Sequence, residues 1–293
     1  MSSVLKVILG IMTGTFGFYY LTDVFRNRKL FSDKSWPGLF GAGFITNFFD
    51  TLGIGSFAQQ TAIFKFFKLV DDRLIPGTMN VGNTFPTVAQ AFIFMTVVQV
   101  DPLTLVSMST AAPLGALLGA DRVSRMSRHR IQMGLGFGLL AVALIMIAGF
   151  LEVMPVGGEA IGLRGWKLAV IVGMSFVFGA LQTVGVGFYA PCIATVYALG
   201  MHPLTAFPVM MTATALLMVA GGTQFVKKGA YDRKVSFSLS IAGILGVFLA
   251  AFVVKSLPLL VLKWVVLCVI LYTCAWMFLS AGRKKTELKI KVI

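Results

Sequence analysis

Long apolar runs with almost no charged residues inside them dominate this chain of 293 residues. Runs of about 18 or more such residues can cross the ~30 Å hydrocarbon layer of a bilayer as helices, whereas a membrane barrel would show short alternating segments. Only 12% of the residues are charged, against about a quarter in soluble domains. The sequence therefore predicts an all-α integral membrane protein. The apolar runs cover approximately residues 4–21, 36–52, 54–70, 78–99, 103–120, 131–151, 166–182, 184–199, 204–225, 235–254 and 259–280.

The net charge of +14 would favour a nucleic-acid partner in a soluble protein, so the placement of the basic residues decides between the two interpretations. Most of them cluster at the ends of apolar runs, which is typical of cytoplasmic loops in membrane proteins, and no nucleic-acid-binding motif accompanies them. We therefore expect a multi-pass protein of the cell (inner or plasma) membrane, surrounded by lipid, with its basic loops and C-terminus in the cytoplasm. The five clusters lie at 26–34, 65–73, 122–130, 227–234 and 283–291.

Two pairs of apolar runs, 36–70 and 166–199, are joined only by the turns Gly-Ile-Gly (53–55) and Gly-Val-Gly (185–187). No hydrated loop separates the members of either pair. Each pair is therefore interpreted as a broken or re-entrant helical hairpin rather than as two full spans. If each hairpin enters and leaves on one side, all five basic clusters fall on the same face of the membrane.

The same two hairpins belong to an internal repeat. A shift of 132 residues aligns 41–79 with 173–211 without a gap, and nine of the 39 aligned positions are identical. Each copy contains one hairpin and three spanning helices, and this odd number of spans places the second copy upside down relative to the first. Inverted repeats with broken helices are an architecture of secondary transporters, which hold their substrate near the midplane where the copies meet. The alternative is that the repeat only builds a scaffold.

These features divide the chain into five predicted parts. They are an N-terminal helix and basic loop (1–35), membrane repeat 1 (36–151), an outer loop (152–165), membrane repeat 2 (166–281) and a basic cytoplasmic tail (282–293). The other predicted outer connections are 101–102, 201–203 and 255–258, which are poor in Lys and Arg.

The glycine-containing tips of the hairpins form the predicted binding region. Glycine permits a sharp turn and a close approach of the backbone to a ligand. The second arm of each hairpin then begins as a helix whose free N–H groups and positive dipole end favour a negative charge. Gly-x-Gly is also a common means of close helix packing in lipid, so the tips alone leave both interpretations open.

Asp50 is the only acidic residue deep within an apolar run, and its partner in the repeat is the neutral Gln182. An ionisable group inside a membrane costs at least about 2.5 kcal/mol, so such groups usually have a function. Asp50 is therefore a candidate for coupling transport to a proton or a sodium ion. The structural alternative is that its carboxylate caps the N-terminus of the second arm. Near an anionic substrate its charge would be repulsive unless Asp50 is protonated or paired.

Neutral donors near the tips suit oxyanions, although each of them could instead make a helix-to-helix hydrogen bond. The predicted substrate-binding residues are Asn47, Asp50, Thr51, Gly53, Gly55, Asn80, Asn83, Gln182, Thr183, Gly185, Gly187 and Thr212. Further donors are Thr78, Thr84 and Thr214, and weaker candidates are Gln59, Gln60, Gln90 and Gln224. Lys65 and Lys68, at the end of the first hairpin, are expected to snorkel to the lipid headgroups. The alternative is that they help to attract anions.

Enzymatic chemistry is not expected. The two histidines, His129 and His202, fall in loops on opposite predicted faces and cannot form a haem or zinc site together. The sequence contains no HExxH, P-loop or Gly-x-Ser-x-Gly motif. We predict no cofactor and no metal site, and the oligomeric state stays open.

The arrangement of these motifs resembles the sulfite exporter TauE/SafE family of membrane transporters. In the first half the similar stretches are the hairpin around Gly53 and Gly55, Pro76-Gly-Thr78, and 113–120 with the basic loop 122–130. In the second half they are 185–191, 231–234, 243–246 and the helix at 263–279. The resemblance implies export of sulfite, sulfonates or other small organic anions, driven by an ion gradient.

The sequence thus predicts an inverted-repeat secondary transporter that moves a small anion by alternating access, through relative movement of its halves. One alternative is a passive anion channel of the same architecture. Another is a membrane subunit or sensor that transports nothing.

Overall fold

The computed structural model of the protein describes residues 2–97, 100–153 and 158–253, together with single positions between 264 and 279. These residues form helices and connecting turns, with no β-strand among them. The predicted last helix (259–280) is described only at those single positions. The connection 255–258 and the basic tail lie outside the described residues. The helices are α1 Ser2–Arg26, α2 Trp36–Thr51, α3 Ser56–Phe66, α4 Ile75–Gly82, α5 Thr84–Val97, α6 Pro102–Val123, α7 Arg128–Phe150, α8 Gly165–Gln182, α9 Tyr189–Ala198, α10 Pro203–Lys227 and α11 Arg233–Val253.

Six of these helices are long and apolar enough to cross a membrane: α1, α6, α7, α8, α10 and α11. Their outer surfaces carry large apolar side chains, such as Phe18 on α1 and Phe252 on α11, which are 71% and 85% exposed. Apolar surface of this extent is stable only against lipid or another apolar partner. The all-α membrane class is therefore confirmed. Helices α2, α3 and α9 have 16, 11 and 10 residues, fewer than the ~20 that a span needs.

The first arm of each hairpin packs against a helix from the other predicted repeat. A Cβ atom on Gly246 of α11 would lie 2.4 Å from the carbonyl oxygen of Phe44 on α2, and one on Gly115 of α6 would lie 1.9 Å from that of Phe176 on α8. Phe44 and Phe176 are equivalent positions in the 132-residue alignment. Both backbones therefore approach at glycine in corresponding places, as small residues permit in membrane helices. The upside-down orientation of the second copy remains a prediction.

Four of the five basic clusters lie at the same end of the helix bundle. Contacts between the segments that carry them show this. The contacts are Lys234 Nζ to the carbonyl oxygen of Lys34 (2.5 Å), Lys228 to Asp121, and Gln132 Nε2 to Asp72 Oδ2 (2.7 Å). The fifth cluster, 283–291, lies outside the described residues. This common end agrees with the predicted arrangement, in which the basic loops share one face.

The predicted outer connections also meet one another. Asp101 precedes α6 and accepts two hydrogen bonds of 2.6 Å from the guanidinium of Arg164 at the start of α8. The backbone N–H of His202 donates to the carbonyl oxygen of Ala160 at 2.8 Å. Residues 154–157 of the outer loop lie outside the described residues.

The predicted run 78–99 is divided into two helices, because α4 ends at Gly82 and α5 begins at Thr84. The physical reason is Pro86, which has no N–H to donate to the carbonyl oxygen of Gly82. That oxygen instead accepts a hydrogen bond of 3.0 Å from Ser240 Oγ on α11. The break brings Asn83, at its centre, into the hydrogen-bond network described below.

Candidate functional site

Both predicted tips are tight turns between two helices. Gly53 donates its N–H to the carbonyl oxygen of Asp50, and Gly185 donates to that of Gln182, both at 2.9 Å. The two glycines have positive φ angles of 83° and 107°, a conformation that residues with a Cβ rarely adopt. The first glycines of the two tips therefore have similar backbone conformations, whereas of the second glycines only Gly55, and not Gly187, has a positive φ angle.

The side chains before the two turns cap the short helices after them. Asp50 Oδ1 accepts a hydrogen bond of 2.5 Å from the backbone N–H of Ser56, which begins α3. Gln182 Oε1 accepts one of 2.8 Å from the N–H of Phe188, which precedes α9. The cap that the sequence offered as an alternative role for Asp50 is therefore present. Gln182 makes the same contact without a charge.

A cavity lies between the two tips. The beginnings of both short helices line it, since Ser56, Phe57 and Ala58 of α3 face it together with Phe188, Tyr189 and Ala190 at the start of α9. The first backbone N–H groups of a helix have no acceptor within it, so these helix starts offer donors and a positive dipole end. Helices α5, α7 and α10 complete the wall.

Five of the twelve predicted binding residues line this cavity: Asp50, Gly55, Gln182, Gly185 and Gly187. The other seven lie beside it or behind its wall. Gly53 supports the turn, and a Cβ atom on it would lie 3.2 Å from the ring of Phe207.

Asn47 and Asn83 form a buried hydrogen-bond network with Gln60 rather than part of the cavity wall. Asn47 Nδ2 donates to Asn83 Oδ1 at 3.0 Å, and Asn83 Nδ2 donates to Gln60 Oε1 at 2.6 Å. All three side chains are fully buried. The network holds both arms of the first hairpin to the break between α4 and α5.

Most of the predicted threonine donors bind backbone carbonyl groups of their own helices. Thr51 donates to the carbonyl oxygen of Asn47 at 2.8 Å, and Thr183 donates to that of Ala180 at 2.6 Å. Asn80 Nδ2 donates to the carbonyl oxygens of Pro76 (2.9 Å) and Gln182 (3.3 Å), which joins α4 to the end of α8. Three buried polar atoms of the predicted residues have no hydrogen-bond partner among the described residues: the hydroxyl of Thr212 and the side-chain oxygens of Asn47 and Asn80.

Sequence reasoning missed several residues of the cavity lining, among them Ser56, Thr87 and Tyr189. Tyr189 is the one that connects to Asp50 through Gln90. Its Oη donates to Gln90 Oε1 at 2.7 Å, and Gln90 Nε2 donates to Asp50 Oδ2 at 2.9 Å and to Thr51 Oγ1 at 3.0 Å. Tyr189 aligns with Phe57 in the repeat, so its phenol hydroxyl is the only difference between the two rings. This hydroxyl, which has no counterpart in the first copy, was the sequence feature that could have identified Tyr189 as a candidate site residue.

Lys65 does not snorkel to the headgroups, and the prediction for it was wrong. Its Nζ lies 2.6 Å from Asp72 Oδ2, and the two side chains are only 10% and 4% exposed. Lys68, by contrast, is exposed.

Comparison with known proteins identifies one family. The sequence profile described as "Sulfite exporter TauE/SafE" matches residues 1–146, which include the first hairpin, Asp50 and Gln90. No curated protein and no solved structure matches the chain. The resemblance of the second half stays a prediction.

Proposed function

The chain belongs, through residues 1–146, to the sulfite exporter TauE/SafE family of membrane transporters, and on that premise we propose that it is a secondary transporter that exports a small anion. Sulfite, a sulfonate or another small organic anion is the proposed substrate. The observation that carries the proposal is the cavity between Gly55 and Gly187, which the starts of α3 and α9 line together. Two helix N-termini in a water-poor site stabilise a negative charge without any cationic side chain.

The proposed binding site is the cavity with the residues of the two tips around it. Asp50 and Gln182 hold the helix starts in place, and the amide groups of α3 and α9 bind the anion. The remaining predicted residues position this first layer, as the hydrogen bonds of Asn47, Asn83 and Thr51 indicate. No catalytic residue and no cofactor belong to the proposal.

Transport is proposed to follow alternating access, with the two repeats in opposite orientations. The equivalent backbone contacts at Phe44 and Phe176 support a two-fold relationship between them. A proton or a sodium ion at Asp50 is the proposed coupling ion, because a neutralised carboxyl group removes the repulsion that an anion would meet.

The proposed location is the cell membrane, with the basic face in the cytoplasm. Single cysteines test this, in a variant whose native cysteines are replaced by serine. Lys68→Cys, on the basic face, should react with an impermeant maleimide only from the cytoplasm, and Ile161→Cys, which is 61% exposed, only from outside. Labelling of both from one side would overturn the inverted arrangement.

Flux in proteoliposomes tests the function. Vesicles with the purified protein should move sulfite or methanesulfonate against its own gradient when a proton or sodium gradient is imposed, and protein-free vesicles should not. Flux that never exceeds the anion's own gradient would indicate a passive channel. Absence of flux for every small sulfur and carboxylate anion tested would contradict the proposal.

A further inference from the structure

A buried hydrogen-bond chain connects the two hairpins. It runs from Asp50, at the end of α2, through Gln90 on α5 to Tyr189, the first residue of α9. Asp50, Gln90 and Tyr189 are 4%, 0% and 6% exposed. Asp50 and Tyr189 line the cavity from opposite hairpins, so Gln90 is a direct polar connection between the two tips.

The directions of these hydrogen bonds fit an ionised Asp50. Oδ1 accepts from Ser56 and Oδ2 accepts from Gln90, so both oxygens act as acceptors, as the oxygens of a carboxylate do. The Gln90 amide therefore presents its N–H₂ group to Asp50 and its oxygen to Tyr189. That oxygen occupies the only proton of the Tyr189 hydroxyl, which is then not available to a ligand.

A proton on Asp50 Oδ2 would reverse the direction of the hydrogen bonds between Asp50, Gln90 and Tyr189. The carboxylic acid would donate to the amide oxygen of Gln90, which requires the amide to turn over. Its N–H₂ group would then donate to the Tyr189 oxygen, and the Tyr189 O–H would be free to donate into the cavity. One proton from water binds the carboxylate and no other covalent bond is made or broken. The hydrogen bond from Gln90 Nε2 to Thr51 Oγ1 is lost when the amide turns over.

Resting on the proposed anion transport, we propose that Gln90 couples protonation of Asp50 to anion binding by the Tyr189 hydroxyl. Protonation removes the negative charge of Asp50 and adds a hydrogen-bond donor at the opposite hairpin. Both changes favour an anion, and thermodynamic linkage requires that the anion in turn favours the proton. Tyr189 is thus assigned as an anion-binding residue and Gln90 as a positioning residue.

The surroundings leave Asp50 as the group that responds to pH. Its neighbours on α3, α5 and α8 are Ser56, Gln90 and Gln182, which do not titrate in this range. Helix α9 contributes Tyr189, with Cys192 one turn further on, and both are neutral at physiological pH. The charged groups on the packed helices lie at their far ends: Lys65 of α3 binds Asp72, and Lys234 of α11 binds the carbonyl groups of Ser32 and Lys34.

The test is binding of methanesulfonate to the purified full-length protein in nanodiscs, measured calorimetrically between mildly acidic and neutral pH. Methanesulfonate keeps its charge throughout this range, so any pH dependence belongs to the protein. The native protein should bind it about tenfold more tightly at acidic than at neutral pH, the size of one hydrogen bond to a charged group.

Tyr189→Phe should weaken binding about tenfold at acidic pH and have little effect at neutral pH, since the hydroxyl is occupied there. Tyr197→Phe removes a hydroxyl further along α9 and should leave the affinity for methanesulfonate unchanged at both acidic and neutral pH. Asp50→Asn places an amide donor where the protonated acid would donate, so it should bind tightly at every pH. Adding Tyr189→Phe to Asp50→Asn should remove that gain.

The outcomes separate the two proposals. If methanesulfonate, sulfite and carboxylates bind the native protein at no pH, the anion site itself is wrong. If they bind, but Tyr189→Phe weakens binding equally at acidic and neutral pH or not at all, the role of Gln90 and Tyr189 is overturned while the anion site stands. Helical content and monodispersity of each variant show that it is folded.

Discussion

Asp50 and Gln182 accept hydrogen bonds from backbone N–H groups six residues further along the chain, each at the start of the short helix that follows its glycine turn. The two tips thus share this capping contact, although one cap is an acid and the other an amide. In the proposed transporter the shared contact holds both helix starts at the site. The acid gives the first tip a group whose charge can change.

The neutral cap at Gln182 leads to the first prediction. Gln182→Glu keeps an oxygen that can accept from Phe188 but adds a negative charge to the cavity wall. Because like charges brought together cost several kcal/mol, we expect methanesulfonate flux at neutral pH to fall at least about tenfold. Gln224→Glu adds the same charge on α10, outside the cavity lining, and should reduce flux far less. Equal flux through both variants would show that the anion does not approach Gln182.

The glycine turns give a second prediction, measured as thermal unfolding in detergent. Gly55 and Gly185 both have positive φ angles, 84° and 107°, and alanine in such sparsely populated conformations costs about 1–3 kcal/mol in backbone strain. A Cβ atom on Gly55 would meet nothing within 4 Å, whereas one on Gly185 would lie 2.3 Å from Leu135 Cδ2. Gly185→Ala should therefore cost a further ~1–3 kcal/mol for overpacking. The reverse order of stability would mean that the two tips pack differently.

The buried ion pair between Lys65 and Asp72 gives a third. Lys65→Met leaves the Asp72 carboxylate without the ammonium that lies 2.6 Å from it, and breaking such a pair costs about 3–5 kcal/mol. Addition of Asp72→Asn removes this buried negative charge and keeps an oxygen for the Gln132 donor. The double variant should therefore unfold at a higher temperature than Lys65→Met alone. If it is the less stable of the two, the carboxylate is not destabilising after the lysine is lost.

A fourth prediction concerns pH. The hydrogen bonds from Arg164 hold the pKa of Asp101 well below its usual value. A lowered pKa in the folded state stabilises the protein above the unfolded pKa of about 3.9, and the stabilisation is lost as the pH falls towards the folded value. Native stability should therefore decline below about pH 4.

Asp101→Asn provides the comparison for this pH effect, because asparagine still caps α6 but does not titrate. The variant should be less stable than the native protein at neutral pH, and the difference should shrink on acidification. Parallel stability curves down to the acid limit would exclude Asp101 as the responsible group. Thermal unfolding over a pH series measures both curves.

The spans could be predicted from the sequence because lipid imposes a simple condition on them. A spanning helix must be apolar over its whole length, so α6, α8 and α11 begin and end within a few residues of the predicted runs. The hairpins were recognisable because only glycine allows such short turns between two buried helices. The break at Asn83 could not be predicted in the same way. The carbonyl oxygen of Gly82, which Pro86 leaves unpaired, accepts a hydrogen bond from Ser240, which is distant in sequence.

The site was predictable in part for a related reason. Asp50 and Gln182 stand out locally, as the polar residues before two glycine turns. Asn47 and Asn83 are equally polar, but the sequence does not show whether a side chain on a helix faces the cavity or a neighbouring helix. In the structure those two amides bind each other. Tyr189 was overlooked because an aromatic ring in an apolar run is counted as a core residue.

The glycine contacts between α2 and α11, and between α6 and α8, bear on how such a molecule can move. At Gly246 and Gly115 the backbones touch without an intervening side chain, and each contact joins a hairpin to a helix of the other copy. Sliding the first half of the sequence past the second would shear both contacts at once. We therefore expect the moving bodies to be composite, each made from parts of both halves, rather than to be the two halves themselves. We expect a hinge to lie between these composite bodies rather than in the loop that joins the two halves.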